Sequence, residues 1–432
     1  GQRGDRLAPW AAALVALALA LTSAAFGGHV AGAADASGYV SQSRLWAAGR
    51  VRVPAPALTA DPWPDRGWLV APLGYAPSHV EGELSPTYAP GLPWLMAVGA
   101  AVAGEAGRYL WTPLFAGLLA WGTFLLAQRA APPLVAFAAA ALVATSPPVL
   151  FAAMQTMSDV PAAALWLGAL LLLGSPRASA PLLSGTLAAL ALVVRPNLVL
   201  VAGVMWLTGP VAGPAGSTRA RGQRAVLWAA PVAIGAGAIA VVNSLLWGSP
   251  AASGYGANAD LFQAAHVPHN LANLWRWTVQ THGYWCVLAL LALPWTPGTQ
   301  DRRRAWPAAA LVAAVAVSYL VYAVFAEWWY LRFYLPAWPV LAATAAWAAW
   351  RLLSRWTPDG AALIVVAIAL AHGVTGVRDA AAVGAFELWT SEQRYAAVAE
   401  FVRDAAPANA VVLTVQHSGA VAYYARRTIG RW

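Results

Sequence analysis

The sequence lacks lysine, holds a single cysteine and carries little charge: all 26 basic residues are Arg, acids number 17, and charged residues make up 10% of the chain. An ordinary soluble domain carries about 25% charged residues. One cysteine, Cys286, permits no internal disulfide and no thiolate metal cluster. There is no Walker loop, no Rossmann glycine pattern, no His-Glu-x-x-His helix and no Gly-x-Ser-x-Gly elbow, so no nucleotide site is visible. What remains is apolar: 60% of the 432 residues are hydrophobic and the mean hydropathy is +0.58. That composition excludes a soluble enzyme and a disordered chain, and it predicts an all-α polytopic membrane protein.

A spanning helix needs about 20 apolar residues. Eleven runs are read as spans: Leu7–Phe26, Tyr109–Ala127, Pro132–Ala152, Val160–Gly174, Pro181–Val194, Asn197–Leu207, Ala225–Trp247, Tyr284–Trp295, Trp306–Phe325, Phe333–Trp350 and Ala361–Val377. The first is read as an anchor, not a cleaved signal peptide, because no A-x-A site is placed to cut it. Leu92–Ala103 reaches only about 18 Å as a helix, so it is read as lying on the membrane surface.

With that assignment and the N-terminus inside, twelve Arg (3, 6, 129, 177, 219, 221, 224, 302, 303, 304, 351 and 355) face only Asp5, Asp301 and Asp359 on the inner side. The outer segments hold as many acids as Arg, so the whole formal excess of +9 lies inside, as the positive-inside rule requires. The charge thus points to a plasma membrane and not to nucleic acid. The 24 Trp fit an interfacial belt, for instance Trp275, Trp277, Trp328 and Trp329 at segment ends.

Two parts follow: a membrane domain over residues 1–377, with a large first outer loop at 29–108, and an outer C-terminal segment over 378–432. The loop is expected to hold two surface helices, Gly38–Ala48 and Leu92–Ala103. The C-terminal segment reads as a small α/β piece: a helix at Ser391–Ala405, a strand at Ala410–Val415, a further helix at Ser418–Ala425 and a short final strand. So few strands make no core of their own, so this piece either packs on the membrane domain or belongs to a longer domain.

The predicted membrane interior is nearly free of charge, whereas pumps place ionisable groups at mid-membrane. Here the acids sit at outer helix ends. Asp35 follows the first span and is placed to act as a general base, or else to cap the next helix. Asp159, with Pro161 in the first helical turn, stands at another outer helix mouth, and either shares one site with Asp35 or caps its own helix. Arg195, at the tip of an apolar hairpin, suits a phosphate or snorkels to head groups. Arg332 lies at an outer mouth with Glu327 near enough in sequence to pair. His79, Glu81 and Glu83 alternate and are the one candidate set for a divalent metal; otherwise no cofactor is expected. His266, His269 and His282 are scattered.

These motifs, in this order, resemble the GT-C membrane glycosyltransferases, the superfamily of protein O-mannosyltransferases and lipid A aminoarabinose transferases. Asp35-x-x-x-Tyr39 with Gln42, Leu45, Trp46 and Gly49 is similar to its first-loop acidic motif. Ser85-Pro86-Thr87-Tyr88-Ala89-Pro90-Gly91-Leu92-Pro93 resembles its entry to a surface helix, and Ser158-Asp159-Val160-Pro161 its second-loop acidic motif. Arg195-Pro196 and Arg332-Phe333-Tyr334-Leu335-Pro336 resemble its basic turns. The stretch Leu7–Pro339 is covered. Ala89 stands where many relatives have Pro, and no acid occupies Tyr88–Gly91, where some place a metal ligand.

The resemblance implies inverting transfer of a sugar from a polyprenyl-phosphate donor to an acceptor hydroxyl on a lipid, glycan or protein, at the outer face. Asp35 would be the base, Arg195 and Arg332 would hold the leaving phosphate, and Asp159 would orient the acceptor or a metal. Tyr39, Tyr88 and Glu327 would contact substrate, and membrane lipids would surround the whole. A transporter or flippase of lipid-linked sugars, and a non-catalytic scaffold, are the competing expectations.

Overall fold

The computed structural model describes residues 2–55, 66–173, 175–211, 217–295 and 306–431. The Arg302, Arg303 and Arg304 triplet, with Asp301, lies outside the described residues. Three helices, Gly4–Phe26, Thr218–Trp247 and Ala361–Ala382, are long and apolar enough to cross a membrane. Two bent pairs are apolar enough when each is taken as one broken span or re-entrant loop: Gly91–Gly107 with Trp111–Ala127, turned by 107°, and Pro133–Ala144 with Pro147–Ala153, turned by 60°. The second bend has a plain cause, since Pro147 and Pro148 lack amide donors and push the preceding residue out of helical geometry. The first bend sets Gly91–Gly107 across the direction of the helix that follows it.

Four shorter apolar helices complete the bundle: Asp159–Leu173, Ala180–Val194, Pro196–Pro210 and Trp306–Leu320. By length and composition alone the described residues give three spanning helices, or five if each bent pair is one span; a count of eleven needs the shorter apolar helices as well. Several runs are shorter as α-helices than as apolar sequence. The run read as Phe333–Trp350 begins in a 3-10 segment, Trp328–Ala337, and turns α-helical only at Trp338. The run read as Tyr284–Trp295 is helical over Trp285–Ala292.

The bundle packs through small residues, because lipid tails give apolar side chains no reason to leave the membrane face. Ala12 and Ala16 of the first helix meet Ala116, Leu119 and Ala120 in one buried cluster. A Cβ on Gly185 would come within 2.2 Å of the Trp228 carbonyl, so this glycine permits close approach of two helices. Hydrogen bonds stitch the same place: Trp228 Nε1 donates to Ser184 Oγ at 3.0 Å, and Ser184 Oγ donates to the Ala169 carbonyl at 2.7 Å. The long helix Thr218–Trp247 starts with Ser217 accepting from the Ala220 amide at 3.2 Å and stops at Gly248, whose φ of 74° is the left-handed cap.

The first loop holds a helix at Ala34–Ala47 and, beyond the expected surface helices, a three-stranded antiparallel sheet. Its strands Val53–Pro54, Tyr75–Pro77 and Glu83–Pro86 are two to four residues long, with Glu83–Pro86 in the middle. The C-terminal piece has a helix at Leu388–Ala405 and one parallel strand pair, Val411–Leu413 with Thr428–Gly430. It packs on the first loop: Ser418 Oγ accepts from the Leu73 amide at 3.0 Å, and the Arg431 amide donates to the Leu69 carbonyl at 2.6 Å.

His282 closes the helix Val267–His282, outside the apolar segments, and is 1% exposed. Its ring bridges Ser146 Oγ at 2.8 Å and Thr281 Oγ1 at 2.7 Å and stacks on Trp338 with centroids 4.1 Å apart. Burial, and then the neighbouring His372, hold its pKa down to about 3, so the native ring is neutral. Between about pH 3 and 6.5 the unfolded chain binds a proton that the native one refuses. The stability from this group is complete above pH 6.5 and is lost as the pH falls through that window, at up to about 1.4 kcal/mol per pH unit. Thermal unfolding of detergent-purified protein should steepen below pH 6.5, and His282→Gln should flatten that dependence; parallel pH curves for the two proteins would count against the assignment.

Candidate active site beneath the first loop

Asp35 lies in the first turn of the helix Ala34–Ala47, but it is not the cap: the capping position is Ala33, and its side chain makes no capping bond. The Asp35 carboxylate is used elsewhere. Its Oδ1 accepts from the Tyr88 hydroxyl at 2.7 Å, and its Oδ2 lies 3.5 Å from Arg332 Nη2. The helix grips Tyr88 along one face, because positions three or four apart lie above one another. Gly38 is one such position, and a Cβ there would meet the Tyr88 ring at 2.1 Å. Gln42, one turn further, donates from Nε2 to the Tyr88 carbonyl at 3.0 Å. Tyr39 packs its ring 4.5 Å from that of Tyr88 and donates its hydroxyl to Ser158 Oγ at 3.1 Å. Burial and the Asp35 charge raise the Tyr88 pKa well above its ordinary value, so Tyr88 keeps its proton and stays a donor.

Asp159 opens the helix Asp159–Leu173 and is 4% exposed. Its Oδ1 accepts from Arg195 Nη1 at 2.5 Å, and its Oδ2 lies 3.8 Å from Arg332 Nε. Arg195 ends the helix Ala180–Val194 because Pro196 follows it and forces its backbone to φ −147°. That break turns the guanidinium toward Asp159. Arg195 also donates from Nε to the Tyr319 hydroxyl at 2.7 Å, and Asn197 Nδ2 donates to the same oxygen at 3.2 Å. Phe333 lies beneath it, 4.8 Å from ring centre to guanidinium carbon.

Arg332, on the 3-10 segment, stands between the two carboxylates. Its Nη1 approaches Met157 Sδ at 3.1 Å, and the Tyr330 and Phe333 rings lie 5.3 and 5.4 Å away. Its Nε has no hydrogen-bond partner among the described residues. The four groups balance in charge but differ in access: the Asp35 side chain is 31% exposed, Arg195 and Arg332 are each 13% exposed, and Asp159 is closed off at 4%. Behind the rings that pack on Arg195 and Arg332 lies a small cavity of about 20 Å³, room for about one water molecule, lined by Asn270, Trp277, Tyr319, Tyr322, Tyr330 and Phe333.

The remaining candidates are not in this cluster. Among the described residues Arg332 pairs with Asp35 and Asp159, and not with Glu327, which is exposed at the head of the 3-10 segment. That segment carries Arg332 toward the acids of other helices. The metal reading of His79, Glu81 and Glu83 fails: among the described residues no three metal-capable side chains gather. Glu83 binds Arg52 Nε at 2.5 Å, and His79 Nδ1 faces the Leu246 carbonyl at 3.1 Å. Sequence reasoning gave no role of their own to Ser158 and Phe333, which stand in the quoted motifs, and did not single out Asn197, Tyr319 or Met157. Ser158 and Asn197 flank singled-out residues, whereas Tyr319 ends an apolar run with nothing in the sequence to distinguish it.

The Asp159–Arg195 pair is shielded from water, so removing one partner strands the other charge. Arg195→Met should destabilise the protein by about 3–5 kcal/mol. The double change Arg195→Met with Asp159→Leu should recover much of that loss. Thermal unfolding of the two single variants and the double one measures the coupling; additive losses would mean that the two charges do not depend on each other.

No family model matches the sequence, and no curated protein matches it. Solved structures do. ArnT from Cupriavidus metallidurans bound to undecaprenyl phosphate superposes with a TM-score of 0.62 at 13% identity, over 97% of this chain and 84% of that one. The Archaeoglobus fulgidus oligosaccharyltransferase, tethered to an acceptor peptide, superposes with a TM-score of 0.61 at 14% identity; 98% of this chain matches 63% of that longer one. Both are GT-C glycosyltransferases. At such identities the likeness is one of architecture, and it extends over nearly the whole chain: this is a multi-pass membrane protein with the GT-C fold.

Proposed function

We propose that the chain is a glycosyltransferase that moves a sugar from a polyprenyl-phosphate donor to an acceptor hydroxyl at the outer face of the plasma membrane, with inversion. The observation that carries this reading is the meeting of Asp35, Arg332, Asp159 and Arg195 beneath one loop, in a chain of GT-C architecture. One neighbour of that architecture has undecaprenyl phosphate bound, and another has an acceptor peptide tethered to it. Asp35 is the base because it is the more exposed carboxylate and is already oriented by Tyr88. It takes the acceptor proton as the acceptor oxygen attacks C1 of the sugar. The bond from C1 to the phosphate oxygen breaks, and its electron pair leaves with the phosphate. Attack in line with that departure inverts the anomeric carbon.

Negative charge grows on the phosphate, and fixed cations in a water-poor site stabilise it. Arg332 is the principal grip, since its contacts to carboxylates are long and its Nε is unpartnered. Arg195, tied to Asp159 and Tyr319, supplies a second fixed cation behind it. Asp159 then orients the two guanidinium groups, a role different from orienting the acceptor. Tyr39 and Tyr88 wall the site. In this reading the chain crosses the membrane eleven times, shorter helices included, with its N-terminus inside and its C-terminal piece outside, as the inner Arg excess suggests. The acceptor is a lipid, glycan or protein hydroxyl.

Asp35→Asn keeps the hydrogen bond from Tyr88 but removes the base. It should lower transfer from a polyprenyl-phosphate sugar by about 100- to 10,000-fold, with donor binding retained. Transfer assayed on purified protein in liposomes decides the matter. If the wild type moves the lipid-linked sugar across the bilayer and forms no product, the protein is a transporter; if Asp35→Asn transfers at the wild-type rate, the base lies elsewhere.

A further inference from the structure

The chain does not enter the Asp35 helix by a relaxed turn. Ala33 has a φ of 42°, a region that residues with a Cβ rarely adopt. Such a residue persists only where its surroundings hold it. Here the surroundings come from the far end of the chain. The Ala31 amide donates to the Tyr424 hydroxyl at 2.8 Å. Glu392 and Tyr395 cover Gly32, where a Cβ would lie 2.2 Å from the Glu392 carboxylate. Gly419 presses against Ser37, and a Cβ there would meet Ser37 Oγ at 2.2 Å.

A second line of contact reaches the same helix from the side. Ser418, wholly buried, accepts the Leu73 amide through its hydroxyl. The next residue, Gly74, has a φ of 94° and lies against Gly38, where a Cβ on Gly74 would come within 2.5 Å of the Gly38 Cα. Gly74 also accepts the Thr87 amide at 2.9 Å, one residue before Tyr88. At the far end of the helix, Arg44 stacks over Tyr423 at 4.5 Å. The C-terminal piece thus holds the entry, the flank and the exit of one helix, and that helix carries Asp35.

We propose that Tyr424 and Ser418 are positioning residues for Asp35: through the Ala31 amide and the Leu73-Gly74 turn they fix the direction of its carboxylate. The inference rests on the reading of Asp35 as the base. It divides the machinery in two. The C-terminal piece aims the base, while the phosphate grip is built by Arg195 and Arg332 on other elements. Loss of either hydroxyl should therefore lower turnover and leave donor affinity alone.

The test uses the full chain in detergent, as Tyr424→Phe, Ser418→Ala and the two combined. Hydrogen–deuterium exchange is followed in the segment 28–39, alongside kcat and the KM for the polyprenyl-phosphate donor. Each single change should speed exchange in that segment, Ser418→Ala also at the Leu73-Gly74 turn whose amide it leaves unbonded, and lower kcat by about tenfold, the scale of one lost hydrogen bond, with donor KM unchanged and exchange elsewhere as in the wild type. Unchanged exchange in 28–39 overturns the proposal. So does faster exchange with full kcat, and so does a general loosening in which KM and kcat move together. If the wild type transfers no sugar at all, the reading of the previous section fails, while the exchange arm still shows whether these hydroxyls hold the segment.

Discussion

Arg332 stands between two carboxylates that the chain brings from distant places, and the organisation of the candidate site follows from that contact. Asp35 comes from the helix after the first apolar helix, and Asp159 from the start of the helix Asp159–Leu173. Charges removed from water need compensation. Arg195 balances Asp159 at close range, and Arg332 spreads itself over both acids at 3.5 and 3.8 Å. The tight pair is a fixed frame. In the proposed reading the loose one is the part that an anion engages without tearing the frame apart, because Arg332 Nε has no hydrogen-bond partner among the described residues and Asp35 keeps access to solvent.

The backbone around the cluster is shaped by a few residues that deny or permit approach. Pro196 stops a helix at Arg195, and Pro161 lies within the first turn of the Asp159 helix. Gly38 and Gly74 let Tyr88 and a loop lie directly on the Asp35 helix. Aromatic rings then fill the space beneath the guanidinium groups, where water would otherwise weaken every charge contact. The result is a polar site packed against Tyr319, Phe333 and Tyr330, in which Asp35 of the first loop is the most exposed charge.

Much of this was legible in the sequence for a simple reason. In a chain with so few charges, an acid or an Arg at the end of an apolar run stands out. Asp35, Asp159, Arg195 and Arg332 could all be named as candidates on that ground. Their pairing could not, because sequence distance says nothing of which helix mouths meet; Glu327 looked like the partner of Arg332 and is not. Tyr319 was invisible, being one more aromatic in an apolar helix. The loop sheet was missed because strands of two to four residues, three of them ending in Pro, carry no alternating pattern. Several apolar runs form α-helices of only about 15 residues, so length alone does not identify them as spans. The alternating His79, Glu81 and Glu83 misled because each neighbour in sequence has a separate partner or none in common.

The central claim is that Arg332 is held in readiness for a lipid phosphate. Native mass spectrometry of the protein released from its own membrane tests this most directly. The account predicts a bound polyprenyl phosphate on the wild type that is lost from Arg332→Ala while the folded mass is retained. Equal retention of the lipid by both proteins, or its absence from the wild type in membranes that contain it, would contradict the account.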